Sequence, residues 1–172
     1  KAATARVAAR KADGPVPTFA QLPVPATPGT VAKQAEIPGV GMTQVDFANG
    51  VKLIAFPNKS EANRVYVRVR FGGGLASLPG NRETPAWAGP IALVASGVGN
   101  IDQEGLDRMT AGRRIGMDFS TDDDAFEIAS TTSPADLADQ LRLIAAKLNK
   151  PRWDPNPVMR ARAKEAGPYM PI

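Results

Sequence analysis

Val45–Pro79, VDFANGVKLIAFPNKSEANRVYVRVRFGGGLASLP, decides how this chain is read. Thr43-Gln44-Val45-Asp46-Phe47 alternates polar and apolar residues, and Asn49-Gly50 is the preferred pair for a two-residue hairpin turn. Val51 to Phe56 resumes as a second strand. Arg64 to Phe71 is the clearest strand of all, with Val65, Val67, Val69 and Phe71 on one face and Arg64, Tyr66, Arg68 and Arg70 on the other. Gly72-Gly73-Gly74 ends it.

Beyond the glycines, Thr84-Pro85 offers a capping hydroxyl and a first-turn proline. Residues 86–95 are apolar on every side, which predicts a buried helix, and Pro90 should kink it or delay its start. Asp102 can cap a short second helix with Leu106 and Met109 inward and Gly112 as its stop. Ile115–Thr121 and Ala125–Thr131 read as strands around a turn at Asp122–Asp124. Ser133-Pro134-Ala135-Asp136 resembles a capping box. It opens a helix with Leu137, Leu141, Ile144 and Leu148 on one stripe, closed by Pro151, and a short helix near Val158–Ala166 follows. This order implies an α+β two-layer sandwich, a mostly antiparallel sheet with helices on one face. Residues 1–40, rich in proline and alanine and without apolar periodicity, read as a linker to something upstream, and residues 41–172 as the domain.

Composition removes several chemistries. The 172 residues include no histidine and no cysteine. A disulfide framework, a thiol nucleophile, a zinc finger and the serine–histidine–acid triad are therefore excluded. Five basic and two acidic residues in 1–36 give that segment +3, whereas the other 16 basic and 15 acidic residues give +1. With a nearly neutral domain and 6 Phe, 2 Tyr and 2 Trp in the chain, no nucleic-acid platform is expected. The uncharged run Thr84–Ile101 is broken by Pro85, Gly89, Pro90, Gly97 and Gly99, which argues for a buried helix and loop instead of a membrane span.

The remaining motifs have simpler explanations. The triglycine lacks the Lys-Ser/Thr of a phosphate loop, and Gly97-Val98-Gly99 lacks the third glycine of a dinucleotide fingerprint. Asp122-Asp123-Asp124 could attract calcium, but calcium loops space their ligands at alternate positions, so a solvated hairpin turn is favoured. Arg64, Arg68 and Arg70 could meet these aspartates or a partner's carboxylates. Glu83, Asp102, Glu104 and Asp107 lie near helix starts, where capping and the helix dipole already explain an acid. No catalytic pair stands out.

Taken together, Val45–Pro79 and the later SPADLADQLRLIAAKLNKPRWD (Ser133–Asp154) resemble the domains of pitrilysin/insulinase-type zinc peptidases. In that family a strand ending in Asn-Gly-Val/Leu, a second strand, a long strand closing in glycines and a buried helix follow one another. Active members carry H-x-x-E-H on that helix, two histidines holding zinc and the glutamate acting as general base. The resemblance places Ala88 and Ala92 at the histidine positions and Ile91 at the glutamate position. No register of the motif supplies a ligand, because the chain has no histidine. It therefore implies a non-catalytic repeat, without zinc of its own, that belongs to a zinc metalloendopeptidase.

In such a peptidase the partner is a zinc-bearing homologous domain, upstream or in another chain, and the two complete a peptide-binding chamber. The chain is short for a full domain of this family, so a fragment with exposed strand edges and some self-association is expected. Any contact with peptide would use an open strand edge or Arg64, Arg68 and Arg70. Bacterial relatives of this type are often exported, which suggests the periplasm. A stand-alone protein- or peptide-binding module of the same fold is the other reading. A histidine-free hydrolase using carboxylates is a third.

Overall fold

The computed structural model describes residues 14–81 and 84–165. Six strands and four helices follow in the order β1 Val31–Ile37, β2 Met42–Phe47, β3 Lys52–Ala55, β4 Val65–Phe71, α1 Ala88–Val94, α2 Gln103–Thr110, β5 Asp118–Thr121, β6 Phe126–Thr132, α3 Leu137–Asn149 and α4 Pro155–Glu165. They form two three-stranded antiparallel sheets, β1-β2-β3 and β4-β6-β5. The architecture is α+β, as the residue pattern implies.

The second sheet carries the main layer. Val67, Val69, Phe71 and Phe119 pack with buried Leu93 of α1, Ile128 of β6 and Ile144 of α3. Each such aliphatic side chain taken fully out of water stabilises the fold by about 1.5–3 kcal/mol. Phe71, Phe119 and Phe126 form a three-ring cluster with centroids 5.8–6.5 Å apart. The helices thus cover the apolar face of β4, while Tyr66, Arg68 and Arg70 stay on the other. A second core cluster joins Leu22, Val98, Leu106, Met109, Leu143 and Ala146.

Local signals account for most boundaries. The Asp102 side chain accepts from the Gly105 amide at 2.8 Å, which caps α2, and Gly112 leaves that helix with φ +74°. Pro90 delays α1 without kinking it. The helix begins at Ala88, so Pro90 falls in the first turn, where its missing N–H has no intrahelical partner to lose. The Ser133 hydroxyl and the Asp136 carboxylate bond at 2.9 Å at the start of α3.

Four expectations change. The hairpin loop has three residues, not two: Phe47 and Val51 close it at 2.8 Å, and Gly50 sits at φ +86°. The stretch 1–40 is not simply a linker, since Val31–Ile37 pairs along β2 as β1, and Leu22 is buried in the core. Proline density hid the short β1 sequence, whose partner lies across a turn with Gly39 and Gly41 at positive φ. Residues 1–13 lie outside the described part.

The third change concerns α3. It buries Gln140, Leu143, Ile144 and Lys147, leaving Leu141 and Leu148 exposed. The stripe is rotated because two polar side chains have specific partners inside. The Gln140 amide oxygen accepts from the Gly116 N–H at 3.0 Å, and Lys147 is bonded to carbonyls at the end of α1. Finally, the layer comprises two small sheets instead of one. Val51, Leu53, Ile54 and Phe56 around β3 remain about half exposed or more.

Candidate functional site

Three places hold the residues singled out in the sequence. The first is α1. Ala88 and Ile91 are partly buried and Ala92 is 8% exposed, on a short helix packed between β5 and α4. Gly89 lets the helix approach β5 closely, since a Cβ there would stand 3.1 Å from the Phe119 ring. None of the three side chains has a ligating atom. Among the described residues, no group of three acidic, histidine or cysteine side chains could hold a metal ion.

The end of α1 carries the most unusual group of the chain. Lys147, 2% exposed, donates from Nζ to the Leu93 carbonyl at 2.8 Å, to Val94 at 3.3 Å and to Ser96. Leu93 and Val94 carry carbonyls that the helix end leaves unpaired, Ser96 follows just beyond it, and the ammonium also complements the negative end of the helix dipole. Burial pushes the Lys147 pKa down to about 8, with Asp154 and Asp107 opposing. Periodicity alone could not find this residue, because a lysine on an amphipathic helix normally faces water.

The second place is the triglycine, which turns out to be half of a two-loop unit with Asp122–Asp124. The Leu75 and Ala76 amides donate to the Asp122 and Asp123 carbonyls, both at 2.9 Å. Gly74, at φ +53°, lies so close that an added Cβ would meet the Ala125 nitrogen at 2.5 Å. The two amides that follow the triglycine are thus spent on a neighbouring turn. Gly97-Val98-Gly99 is likewise structural: the Gly97 N–H donates to Asp154 at 3.0 Å, and Val98 is fully buried.

The third place is the outer face of β4. Arg64 pairs with Glu61 at 2.6 Å and Arg68 with Glu127 at 2.9 Å. Arg70 pairs with Asp124 at 2.9 Å and approaches Asp122 and Glu127 at 3.8 and 3.9 Å. Each arginine therefore already meets an acid of this chain. The Glu127 carboxylate, 10% exposed, is sheltered beneath Arg68 and Arg70. Tyr66 joins the face, its hydroxyl donating to Glu61 at 2.9 Å. Because β4 is the first strand of the order β4-β6-β5, one side of its backbone has no strand partner among the described residues. Of the helix-start acids, Asp102 is a cap, Asp107 accepts from Gln103 at 2.8 Å, and Glu83 lies outside the described residues.

Comparison with known proteins places this geometry in context. No protein-family profile matches the chain, and no curated protein matches it. Among solved structures, a mutant of the ferredoxin protease FusC in complex with Arabidopsis ferredoxin matches with TM-score 0.72 and 17% identity. The periplasmic protease PqqL from Escherichia coli matches with TM-score 0.75 and 16% identity. Each match covers 95% of this chain but 18% of the other. The likeness shows a shared fold, and the chain spans under a fifth of the length of either protease.

Proposed function

We propose that this chain is a non-catalytic domain of a pitrilysin-type metallopeptidase, packing against a zinc-bearing half to complete a peptide-binding chamber. The observation that carries the proposal is the fold it shares with segments of two much longer proteases. The helix after the glycine turn, where active domains would hold zinc, here offers Ala88, Ile91 and Ala92. Alanine and isoleucine can neither bind a metal nor activate water, so zinc and the general base must come from the partner.

The domain's own contribution is a wall. Its helices pack on one side of the sheet, and a peptide or a neighbouring domain would meet the charged side of β4 or its edge, which has no strand partner among the described residues. An extended peptide can add to such an edge through main-chain hydrogen bonds. Arg68 and Arg70 would reach it only by loosening their ion pairs, of which the exposed Arg70–Asp124 pair is worth about 0–1 kcal/mol and those to sheltered Glu127 more. A protein substrate fits the neighbour FusC, whose structure contains ferredoxin. A periplasmic location fits PqqL, and among the described residues no helix is long and apolar enough to cross a membrane.

Zinc and peptide assays on the purified chain test this reading. After incubation with zinc and gel filtration, the chain should retain no stoichiometric metal and leave a mixed peptide library uncut. Retained zinc, or hydrolysis by the chain alone, would overturn it in favour of an independent hydrolase.

A further inference from the structure

The proline-rich segment before β1 is folded onto the domain at defined points. Leu22, 5% exposed, enters the core cluster with Val98, Leu106 and Leu143, and Phe19 packs against the same cluster. The Arg113 guanidinium stacks 4.7 Å from the Phe19 ring centre. Phe19–Gln21 form a single 3-10 turn with its own cap, the Thr18 amide donating to the Gln21 side chain at 2.7 Å. Prolines flank this turn on both sides, so little chain entropy is lost in holding it extended up to its ends.

The receiving surface is shaped for the segment. Asn149 of α3 donates to the Pro23 carbonyl at 2.9 Å. A Cβ on Gly99 would come within 3.1 Å of the Pro23 ring, and one on Gly105 within 3.3 Å of Pro17. An open cleft of about 660 Å³ runs beside it, lined by Val16, Pro17, Gln21, Asn100, Ile101 and Lys150. The segment is therefore held by two apolar anchors and a few polar contacts, beside an open cleft.

We infer that the groove between α2, α3 and the 97–101 loop is a binding site for a short, proline-flanked Phe-x-x-Leu peptide, filled in cis by residues 15–23. The anchors are one 3-10 turn apart, so they enter the groove together, and Arg113 and Asn149 fix direction by gripping the aromatic ring and the following carbonyl. The groove holds residues 15–23 at a fixed place on the domain. Opening it exposes a site that the same motif on another polypeptide can occupy.

The test uses a fluorescent peptide of residues 15–24, Pro-Val-Pro-Thr-Phe-Ala-Gln-Leu-Pro-Val. Anisotropy is measured against the unaltered chain and against the full-length Phe19→Ala/Leu22→Ala variant, whose groove is intact but whose anchors are gone. The peptide should bind the variant and bind the unaltered chain at least about tenfold more weakly, because the tethered segment competes at high effective concentration. Absence of binding to the folded variant, or equal affinity for both proteins, would overturn the inference.

Should the variant fail to fold, the cysteine-free background allows a second measurement. Leu22→Cys and Leu143→Cys are labelled separately with a thiol reagent under native conditions. Cys introduced at 22 should react at least about 100-fold faster, through opening of the segment alone. Equal rates would mean that residues 15–23 open only with the whole core, and the inference fails.

Discussion

Lys147 concentrates the chemistry of a single residue that the fold cannot easily replace. The unfolded chain holds this proton up to about pH 10.5, whereas the folded chain releases it near pH 8. Between those values the unfolded state binds more protons, so this group makes folded stability rise with pH across roughly 8 to 10.5. Its share is at most about 3 kcal/mol. Urea midpoints between pH 7 and 10.5 should show that rise, and the Lys147→Met variant should lack it. Parallel curves for the two proteins would contradict the buried-lysine account. Gly74 makes a second point at this scale. Gly74→Ala would force a Cβ into the Asp122–Ala125 backbone from a left-handed conformation, a loss of about 2–4 kcal/mol that a thermal melt resolves.

Among the elements, α3 shows what the sequence conveys and what it withholds. Its end follows from Pro151, but its first turn begins at Leu137, with Asp136 and not Ser133 at the cap. Its buried face does not follow from the sequence, because Gln140 and Lys147 are buried by partners, Gly116 and the end of α1, that only the fold brings near. Leu143→Ala should therefore cost about 2–5 kcal/mol and Leu148→Ala less than about 1, by chemical denaturation. The reverse ranking would restore the stripe through Leu141 and Leu148. β4 was legible down to its alternation, since its polar side faces water and its apolar side the helices. β1 was obscured by the prolines before it. The arginine face was legible as a pattern but not as a set of closed ion pairs, whose acids lie more than fifty residues away for Arg68 and Arg70. If β4 touches peptide, Arg68→Ala/Arg70→Ala in the assembled peptidase should raise KM with kcat nearly unchanged. An unchanged KM discards that surface.

At the scale of the whole molecule, the chain is a layered α+β unit whose helices hide one side of the β4-β6-β5 sheet and leave the other charged. Its apolar strands around β3 remain exposed, and its α1 has no side chain able to bind zinc. Those features suit a piece that works against another domain. The direct measurement is reconstitution: peptide hydrolysis by the zinc-bearing homologous domain from the same source, assayed alone and with this chain added. The proposed role predicts at least a tenfold gain in kcat/KM on adding the chain, with zinc remaining on the partner. An unchanged rate, with the two proteins eluting separately, would contradict it.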